Sequence, residues 1–507
     1  MENLKDFYKK ERALRLPETA TLSVYLILDN WNDFHYRTLY QITLFDEHGT
    51  KHDLGHIKIA NFGQTTEERI ELPQQFEALD EQFFSLGQSV DYYEIIQSLS
   101  SELKELLLVG LRDIIFDEKL QLRALEEEVT KISLLRDTSL TSIKGQYKRV
   151  LDGGAILTEY NFEYETKKTD TEAGFKLEFN VNPESNPPTN IHVLISRNGV
   201  GKTQLLNNMV KTLMNDENSK GKFKQIKDEG NDTEEEFFSG VVSVSYSAFD
   251  PFKPYPENPN QTEGFRCSYI GLKKIEEEEI TLKNHNELAD EFFMSIEYCF
   301  SVGKKEKWKN AVENLESDNL FAQINLTRLL DENLNKRKIL RLFKKLSSGH
   351  AIVLITITKL VEKIEEKTLV LLDEPEGHLH PPLLSAFIRA LSDLLKNRNA
   401  VAIIATHSPV IAQEVPKSCV SKLSRFGLEA KAERPDIETF GENISTLTRE
   451  IFSLEVAESG FHKLLKHDVE DGKSYEQIID KYNNQLGFEA KLLLRALLIE
   501  SNRQEAF

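Results

Sequence analysis

The feature that most constrains this 507-residue chain is a glycine-rich loop between an apolar strand and a helix. The strand reads IHVLI, the loop SRNGVGKT and the helix QLLNNMVKTLM. Glycines there let backbone N–H groups curl around a phosphate at the start of the helix. In this context a lysine reaches the terminal phosphates and a threonine hydroxyl ligates Mg²⁺. The residues predicted to bind phosphate or Mg²⁺ are Asn198, Gly199, Gly201, Lys202 and Thr203.

The loop departs from the GxxxxGK[ST] pattern at its first position, where Ser196 stands in place of glycine. The plainer interpretation is a glycine-rich turn that caps a helix. The order of strand, loop and helix favours phosphate binding, because that is the context in which such a loop works.

A second motif, LVLLDEP, ends an apolar strand with two carboxylates. Asp373 is predicted to hold Mg²⁺, directly or through water, and Glu374 to polarise an attacking water molecule. The alternative is a buried strand that ends in an ordinary turn before Pro375.

A third motif, LSSGH, lies one helix upstream of the second and opens an apolar helix. A Ser-Gly turn at a helix start directs N–H groups and hydroxyls toward a phosphate. Ser347, Ser348 and Gly349 are therefore predicted to contact nucleotide, although a Ser-Ser-Gly string is also an ordinary helix cap. A fourth motif, ATHSP, follows strand AVAIIA and contains His407.

The four motifs together resemble the ABC-type ATPases of the SMC, Rad50 and OLD group, over roughly residues 170–425. The string DEPEGHLHPP resembles the D-loop of OLD-like ATPases more than that of transporters. The resemblance implies two heads that meet head to tail around two ATP molecules. Lys202, Glu374 and His407, a switch histidine on the γ-phosphate, would then act from one chain, and the LSSGH residues from the other.

One element of that family is missing, because no glutamine follows the strand VVSVSYS. Asp250 stands there instead, and it would serve either near the metal or in a plain turn before Pro251.

Buried strands that alternate with helices predict an α/β fold, a P-loop ABC-type ATPase head with a mostly parallel sheet. Residues 171–440 are interpreted as the ATPase core with a helical lobe at about 270–348, and residues 441–507 as a helical tail. Residues 1–170 contain strands and a helical insertion. We expect these strands to complete the sheet of the head, and the helices to make contacts between subunits.

The chain contains neither a Toprim-like acidic pattern after ATHSP nor heptads long enough for a coiled-coil arm. It therefore most resembles the ATPase subunits of anti-phage systems such as Septu or PARIS, in which a separate protein carries the nuclease. We expect an ATP- and Mg²⁺-dependent homodimer or higher homo-oligomer that controls such an effector. The alternatives are a nucleotide-dependent scaffold with little turnover and a RecF-like DNA repair ATPase.

The formal charge of −20 disfavours general nucleic-acid binding, because phosphates are repelled at long range. A basic cluster at 336–345 leaves DNA possible, although a solvated helix face is the plainer interpretation. The same choice applies to Trp308 among lysines, which is either a base-stacking or a core residue. Three widely spaced cysteines and the absence of a signal-like or membrane-length apolar segment predict a cytoplasmic protein without membrane contact.

Overall fold

The computed structural model describes residues 6–504, except for several short segments. The residues within that range that are not described are 12–15, 30–32, 34, 67–69, 137, 155–156, 170–172, 227–237, 249, 251, 257–264, 277–278, 303, 325, 328–334 and 458–459. Pro251 and the acidic run at 234–236 fall outside the described residues.

The strands fall into four sheets. In chain order they are β1 Asp6–Lys10, β2 Ser23–Leu28, β3 Leu39–Phe45, β4 Lys51–Asn61, β5 Gln75–Phe76, β6 Phe83–Gly87, β7 Tyr160–Thr166, β8 Lys176–Val181, β9 Ile191–Ile195, β10 Gly221–Ile226, β11 Gly240–Ser245, β12 Arg266–Gly271, β13 Lys273–Glu276, β14 Glu279–Leu282, β15 Thr368–Asp373, β16 Val401–Thr406, β17 Val420–Phe426 and β18 Glu429–Glu433.

The central sheet has the order β12-β11-β15-β16-β9-β17-β18, and every pair in it is parallel except β17 with β18. β9 and β16 are buried along their whole length, as strands covered by helices on both faces are. The carboxyl ends of the parallel strands meet at one edge, where ligands bind in open α/β sheets. The glycine-rich loop after β9 therefore lies beside the ends of β15 and β16. The prediction of an α/β head with a mostly parallel sheet is confirmed.

The helices of the chain are listed in order. They are Val90–Ser98, Ser101–Gly110, Glu118–Ala124, Leu140–Ser142, Lys148–Leu151, Lys202–Leu213, His285–Ser301, Lys305–Glu313, Asn319–Ile324, Lys336–Phe343, Ser348–Lys363, Pro381–Lys396, Pro409–Ala412, Ile444–Ala457, Gly460–Glu470, Tyr475–Lys481 and Phe488–Gln504, with π-helical turns Thr130–Leu134 and Ile143–Tyr147 and 3₁₀ turns Asn314–Ser317, Pro375–His378 and Lys417–Cys419.

The strands of the first 87 residues do not complete the sheet of the head, and that expectation was wrong. They form their own six-stranded sheet in the order β5-β1-β2-β3-β4-β6, with an apolar core shared with the helices that follow. The leucines of the helix Ser101–Gly110, including Leu103 and Leu107, belong to this core. β2, β3 and β4 pair antiparallel in succession, whereas β1 pairs parallel with β2.

This N-terminal unit contacts the head at the turn just before β15. Glu366 is 1% exposed, and its carboxylate accepts a bond from the guanidinium of Arg149 at 2.8 Å. The neighbouring Glu365 accepts from the backbone N–H of Ser139 and pairs with Arg266. The strand that carries the Asp-Glu motif is thus tied at its start to the N-terminal unit.

The segment 214–238 is polar and charged, yet it contains a strand, β10, that this composition does not indicate. β10 pairs antiparallel with β7, which pairs with β8, in a three-stranded sheet. Phe223 of β10 packs on the core of that sheet, and its neighbours along the strand are charged. Because charged residues flank this short amphipathic strand, the composition of the segment predicts a loop there.

Two of the alternatives left open in the helical lobe can be compared with the structure. Trp308 is 0% exposed and donates its indole N–H to the Thr358 hydroxyl at 2.9 Å, so it is a core residue. The basic helix Lys336–Phe343 buries Ile339 and Phe343 and exposes its charged side chains. The charged side chains therefore form an exposed basic face, which both interpretations of this helix require.

The last helices pack on one another around Leu465, Ile478 and Leu494. They agree with the predicted helical tail. Among the described helices, none is both long and apolar enough to cross a membrane.

Candidate nucleotide site

The glycine-rich loop has the backbone shape that its glycines allow. Gly199 has φ +83° and Gly201 has φ +104°, a region that favours glycine over residues with a side chain. Gly201 immediately precedes the helix Lys202–Leu213, and no side chain caps that helix start. Its first N–H groups are therefore available to an anion.

Lys202 is folded back across the loop. It is 5% exposed, and its ammonium donates to the carbonyl oxygens of Ser196 at 3.2 Å and Arg197 at 3.4 Å. Burial lowers the pKa of Lys202, and the carboxylates of Glu374 and Asp373 act against that fall. Its position places one cation between the loop and the two carboxylates. Ser196, the residue that departs from the usual pattern, also supplies a hydroxyl within 3.4 Å of the ammonium.

Asp373 has the surroundings expected of a metal ligand. Burial raises its pKa to about 6, a hydrogen bond from Thr203 lowers it, and the charge of Glu374 raises it. Its Oδ1 atom is buried and has no hydrogen-bond partner within the described part of the chain. A buried carboxylate oxygen without a partner is costly unless a cation or water completes it. Asp373 and Thr203 together therefore fit an Mg²⁺ ion.

Glu374 stands in the left-handed region with φ +45°, and its N–H donates to the carbonyl of Ala405 at 2.9 Å. This links the end of β15 to the end of β16. His407 Nδ1 lies 3.6 Å from the Glu374 carboxylate. A backbone held in this sparsely populated conformation is common at functional sites.

Glu376 is a site residue that the sequence reading noted only as part of a D-loop string. Its Oε1 accepts from the Thr406 hydroxyl at 2.5 Å and from the His407 N–H at 2.9 Å. His407 Nδ1 also lies 3.2 Å from the same oxygen. Glu376 therefore fixes the backbone that carries the histidine. Its signal in the sequence is its place two residues after the second carboxylate.

Asp250 lies near Asp373 and also has a structural partner. Its carboxylate pairs with Lys273 at 3.0 Å and caps the N–H of Phe252 at 2.9 Å. Its charge contributes to the raised pKa of Asp373. Asp250, Thr203 and Asp373 line a cleft of about 50 Å³. Asp250 thus lies near Asp373, as one interpretation of the sequence expected, and it also stabilises a local turn, as the other expected. Its ion pair with Lys273 was not predicted from the sequence.

The LSSGH motif lies at the start of the helix Ser348–Lys363 and not at the carboxyl ends of β9, β15 and β16. Ser347 is the N-cap of the helix Ser348–Lys363, and its hydroxyl lies 2.6 Å from His350 Nδ1. A Cβ atom added at Gly349 would lie 2.5 Å from the carbonyl oxygen of His378, so a side chain there forces the two segments apart. Ser348 is exposed at the helix start.

The predicted residues thus form two groups. One consists of the loop residues Asn198, Gly199, Gly201, Lys202 and Thr203, with Asp373, Glu374 and His407, at the carboxyl ends of β9, β15 and β16. The other consists of Ser347, Ser348 and Gly349 at the start of their helix, against the loop that follows β15. The residue roles themselves stay predictions.

The fold and the site define a P-loop head of the ABC type: a parallel sheet, a glycine loop that leads into a helix beginning at Lys202, and paired carboxylates at the end of β15, two strands away from β9. The family profile "AAA domain, putative AbiEii toxin, Type IV TA system" matches residues 211–412, which begin after the glycine loop and include the other three motifs. The chain is 42% identical over 527 aligned positions to protein Ea59 of Escherichia phage lambda, with 99% of each chain covered. The chain belongs to the family of that protein.

Solved structures similar to the chain include two heads. One is the ADP conformation of an ATP-binding cassette of an ABC transporter, with 16% identity and a TM-score of 0.31 over 59% of this chain and 98% of that one. The other is the SMC head domain from Thermotoga maritima, with 8% identity and a TM-score of 0.29 over 55% of this chain and 100% of that one.

Proposed function

We propose that this protein binds Mg²⁺-ATP and hydrolyses it at a site completed by a second copy of the chain. The observation that carries the proposal is the buried Oδ1 of Asp373, which has no hydrogen-bond partner among the described residues and lies beside the Thr203 hydroxyl and near Lys202. Such an arrangement is costly without a ligand, and Mg²⁺ with a triphosphate would satisfy it.

The residues of the chain divide the work between binding and proton transfer. The N–H groups after Gly199 would cradle the phosphates, and Lys202 would neutralise their terminal charge. Glu374 would accept a proton from the attacking water, and His407, held by Glu376, would contact the γ-phosphate. Mg²⁺, when bound, would supply charge neutralisation at the phosphate oxygens.

The position of the LSSGH motif supports a head-to-tail dimer. Ser347 bonds His350 and Gly349 abuts His378 in the same chain. The start of this helix is exposed at Ser347 and Ser348, so both residues are accessible to a phosphate carried by another copy, although the Ser347 hydroxyl is bonded to His350 in this chain. A second head would bring the two groups of residues together.

We further propose that the ATP-driven closing of the heads controls a separate effector, such as a nuclease, in anti-phage defence. Two findings support this context. The profile that matches residues 211–412 describes a putative toxin. Protein Ea59, which is similar to this chain over 99% of both sequences, comes from a phage. A phage-borne copy would act against competing phages.

The first test is Glu374→Gln, with Glu429→Gln as an exposed control in β18. Loss of a general base is expected to lower kcat about 10²–10⁴-fold while ATP binding persists. Steady-state hydrolysis and fluorescent-nucleotide titration measure the two quantities. Unchanged hydrolysis in Glu374→Gln would remove this residue from the proposed mechanism.

The second test uses tagged Glu374→Gln protein, which is expected to remain in the closed state, captured from its host with ATP and Mg²⁺. Mass spectrometry of the captured material identifies the output. A stoichiometric nuclease or other effector supports control of an effector. DNA without a protein partner favours the repair ATPase, and full biological activity of Glu374→Gln favours the scaffold that needs no turnover.

A further inference from the structure

We infer that Asp318, His350 and His380 form a binding site for a divalent transition metal, with zinc as the best match, outside the nucleotide site. Each side chain comes from a different segment. Asp318 precedes the helix Asn319–Ile324, His350 lies in the first turn of the LSSGH helix, and His380 is the N-cap of the helix Pro381–Lys396. A metal there would join the helical lobe, the LSSGH helix and the loop after β15.

The distances between the donor atoms suit a small metal ion. His350 Nε2 lies 3.1 Å from Asp318 Oδ1, and His380 Nε2 lies 3.8 Å from Asp318 Oδ2. One donor atom from each residue falls within 4.8 Å of the others. Tetrahedral zinc, with bonds of about 2.1 Å, has donor atoms roughly 3.4 Å apart. The two separations from Asp318, 3.1 Å and 3.8 Å, lie on either side of that spacing, and the 4.8 Å limit means that the widest pair closes by at most about 1.4 Å.

The site is closed on one side and open on the other. Asp318 and His350 are 7% and 8% exposed, whereas the His380 side chain is 53% exposed. Two imidazoles and one carboxylate with an open fourth position form a zinc site that keeps a water molecule. Solvent access at His380 gives a metal its route of entry.

Hydrogen bonds orient both histidines, and metal binding would break one of these bonds. His350 Nδ1 is held by the Ser347 hydroxyl at 2.6 Å, as metal-bound histidines usually are held through their other nitrogen. His380 Nδ1 accepts the N–H of Leu383 at 3.4 Å. Metal binding through Nε2 moves a proton to Nδ1, so this long capping bond would be given up.

Metal binding would also change the state of Ser347, a consequence that rests on the proposed function. With a metal on His350 Nε2, Nδ1 carries the proton and donates to the Ser347 oxygen. The hydroxyl hydrogen of Ser347 is then free to donate to a phosphate on the second copy. Without a metal, His350 Nε2–H can donate to Asp318, and the Ser347 hydroxyl donates to Nδ1.

The test titrates cobalt(II), a spectroscopic substitute for zinc, into the untagged full-length protein after chelator treatment. Excess Mg²⁺ is present to occupy Asp373, and nucleotide is omitted, so the result does not depend on ATP hydrolysis. We expect one cobalt per chain with the absorption of a tetrahedral site, displaced by one equivalent of zinc. Elemental analysis after gel filtration gives the stoichiometry.

Variants assign the ligands. His380→Asn removes the imidazole, yet asparagine still caps the helix, and Asp318→Asn keeps a side chain of the same size. Both are expected to weaken cobalt binding more than about tenfold. His378→Asn, an exposed histidine two positions earlier in the same loop, is the matched control and should bind as the parent does.

Absence of stoichiometric cobalt binding by the parent protein would overturn the inference, because the three groups would then form only a hydrogen-bonded network. Equal binding by His380→Asn and His378→Asn would overturn it too. If either ligand variant fails to fold, the cobalt spectrum and zinc displacement of the parent protein still decide. Metal binding without ATP hydrolysis would keep this inference and reject the proposed function.

Discussion

At the scale of single residues, two carboxylates lie side by side at the end of β15, and this arrangement destabilises the fold. Asp373 is largely removed from water, and Glu374 stands in a sparsely populated backbone conformation. The buried Oδ1 atom of Asp373 has no hydrogen-bond partner among the described residues, which is destabilising in the free protein. This cost is typical of a site arranged for a charged ligand.

The raised pKa of Asp373 leads to a prediction about stability and pH. Because its pKa is about 6 in the folded protein and about 3.8 when unperturbed, the ionised carboxylate destabilises the metal-free fold fully above about pH 6. That cost disappears as the pH falls toward 4. Asp373→Asn should therefore raise the apparent melting temperature at pH 7.5 by about 1–3 °C, and by less at pH 5.

Thermal unfolding without Mg²⁺ or nucleotide measures this difference. Asp80→Asn, at an exposed position in the N-terminal unit, is the control and should show no such gain. Mg²⁺-ATP should then stabilise the parent protein more than Asp373→Asn. A variant that melts below the parent at pH 7.5 would contradict the burial argument.

At the scale of elements, the loop between β15 and the helix Pro381–Lys396 connects the two groups of predicted residues. Glu376 holds the backbone of His407, and the carbonyl of His378 lies against Gly349. One short loop therefore contacts both the end of β16 and the start of the LSSGH helix. We expect a displacement at the end of β16 to move the start of the LSSGH helix, and the reverse. Closely packed segments have little free volume, so they transmit such movements.

Gly349→Ala tests that connection. The added Cβ would lie 2.5 Å from the His378 carbonyl, so the helix start and the loop must move apart. We expect a stability loss of about 1–3 kcal/mol and reduced hydrolysis with near-normal nucleotide binding. Gly377→Ala is the matched control, because a Cβ atom there meets no heavy atom within 4 Å. Equal hydrolysis by the two variants would show that the contact is not needed.

At the scale of the whole molecule, the N-terminal unit and the head have separate sheets and separate cores, joined through Arg149 and Glu366 near the start of β15. The residues predicted to bind nucleotide lie at the opposite end of that strand. The head alone holds the loop residues and the LSSGH residues in different places. Its arrangement favours a composite site between two copies.

Mixing two inactive variants tests the composite site. Lys202→Ala removes the loop cation and Ser347→Ala removes the hydroxyl expected to act on the other copy. In a head-to-tail dimer, a mixed dimer contains one intact site and one doubly altered site. Equal amounts that exchange freely should recover about a quarter of the parent's sites.

Hydrolysis by the mixture, compared with each variant alone, measures this recovery. The control mixes Lys202→Ala with Glu374→Gln, whose changes fall in the same half of the site. In that mixture each site of a mixed dimer carries one change, so no recovery is expected. Activity of the first mixture no higher than the mean of its parts would contradict a shared site.

The sequence by itself determined the head of this protein, because the glycine loop, the Asp-Glu strand end and the histidine after β16 are local patterns. Buried strands of five to six residues that alternate with helices predict a covered parallel sheet, so the carboxyl ends of these strands were expected at one edge.

Only the tertiary structure decided which residues the motifs contact and which strands pair. The N-terminal strands paired among themselves and not with the head, since the composition of a strand does not specify which sheet it joins. β10 became a strand through its pairing with β7, although its sequence reads as loop. The contact of Glu376 with His407 spans 31 residues, and that of His350 with Asp318 spans 32. Such contacts exist only once separate segments have packed, because the side chains alone do not specify their neighbours.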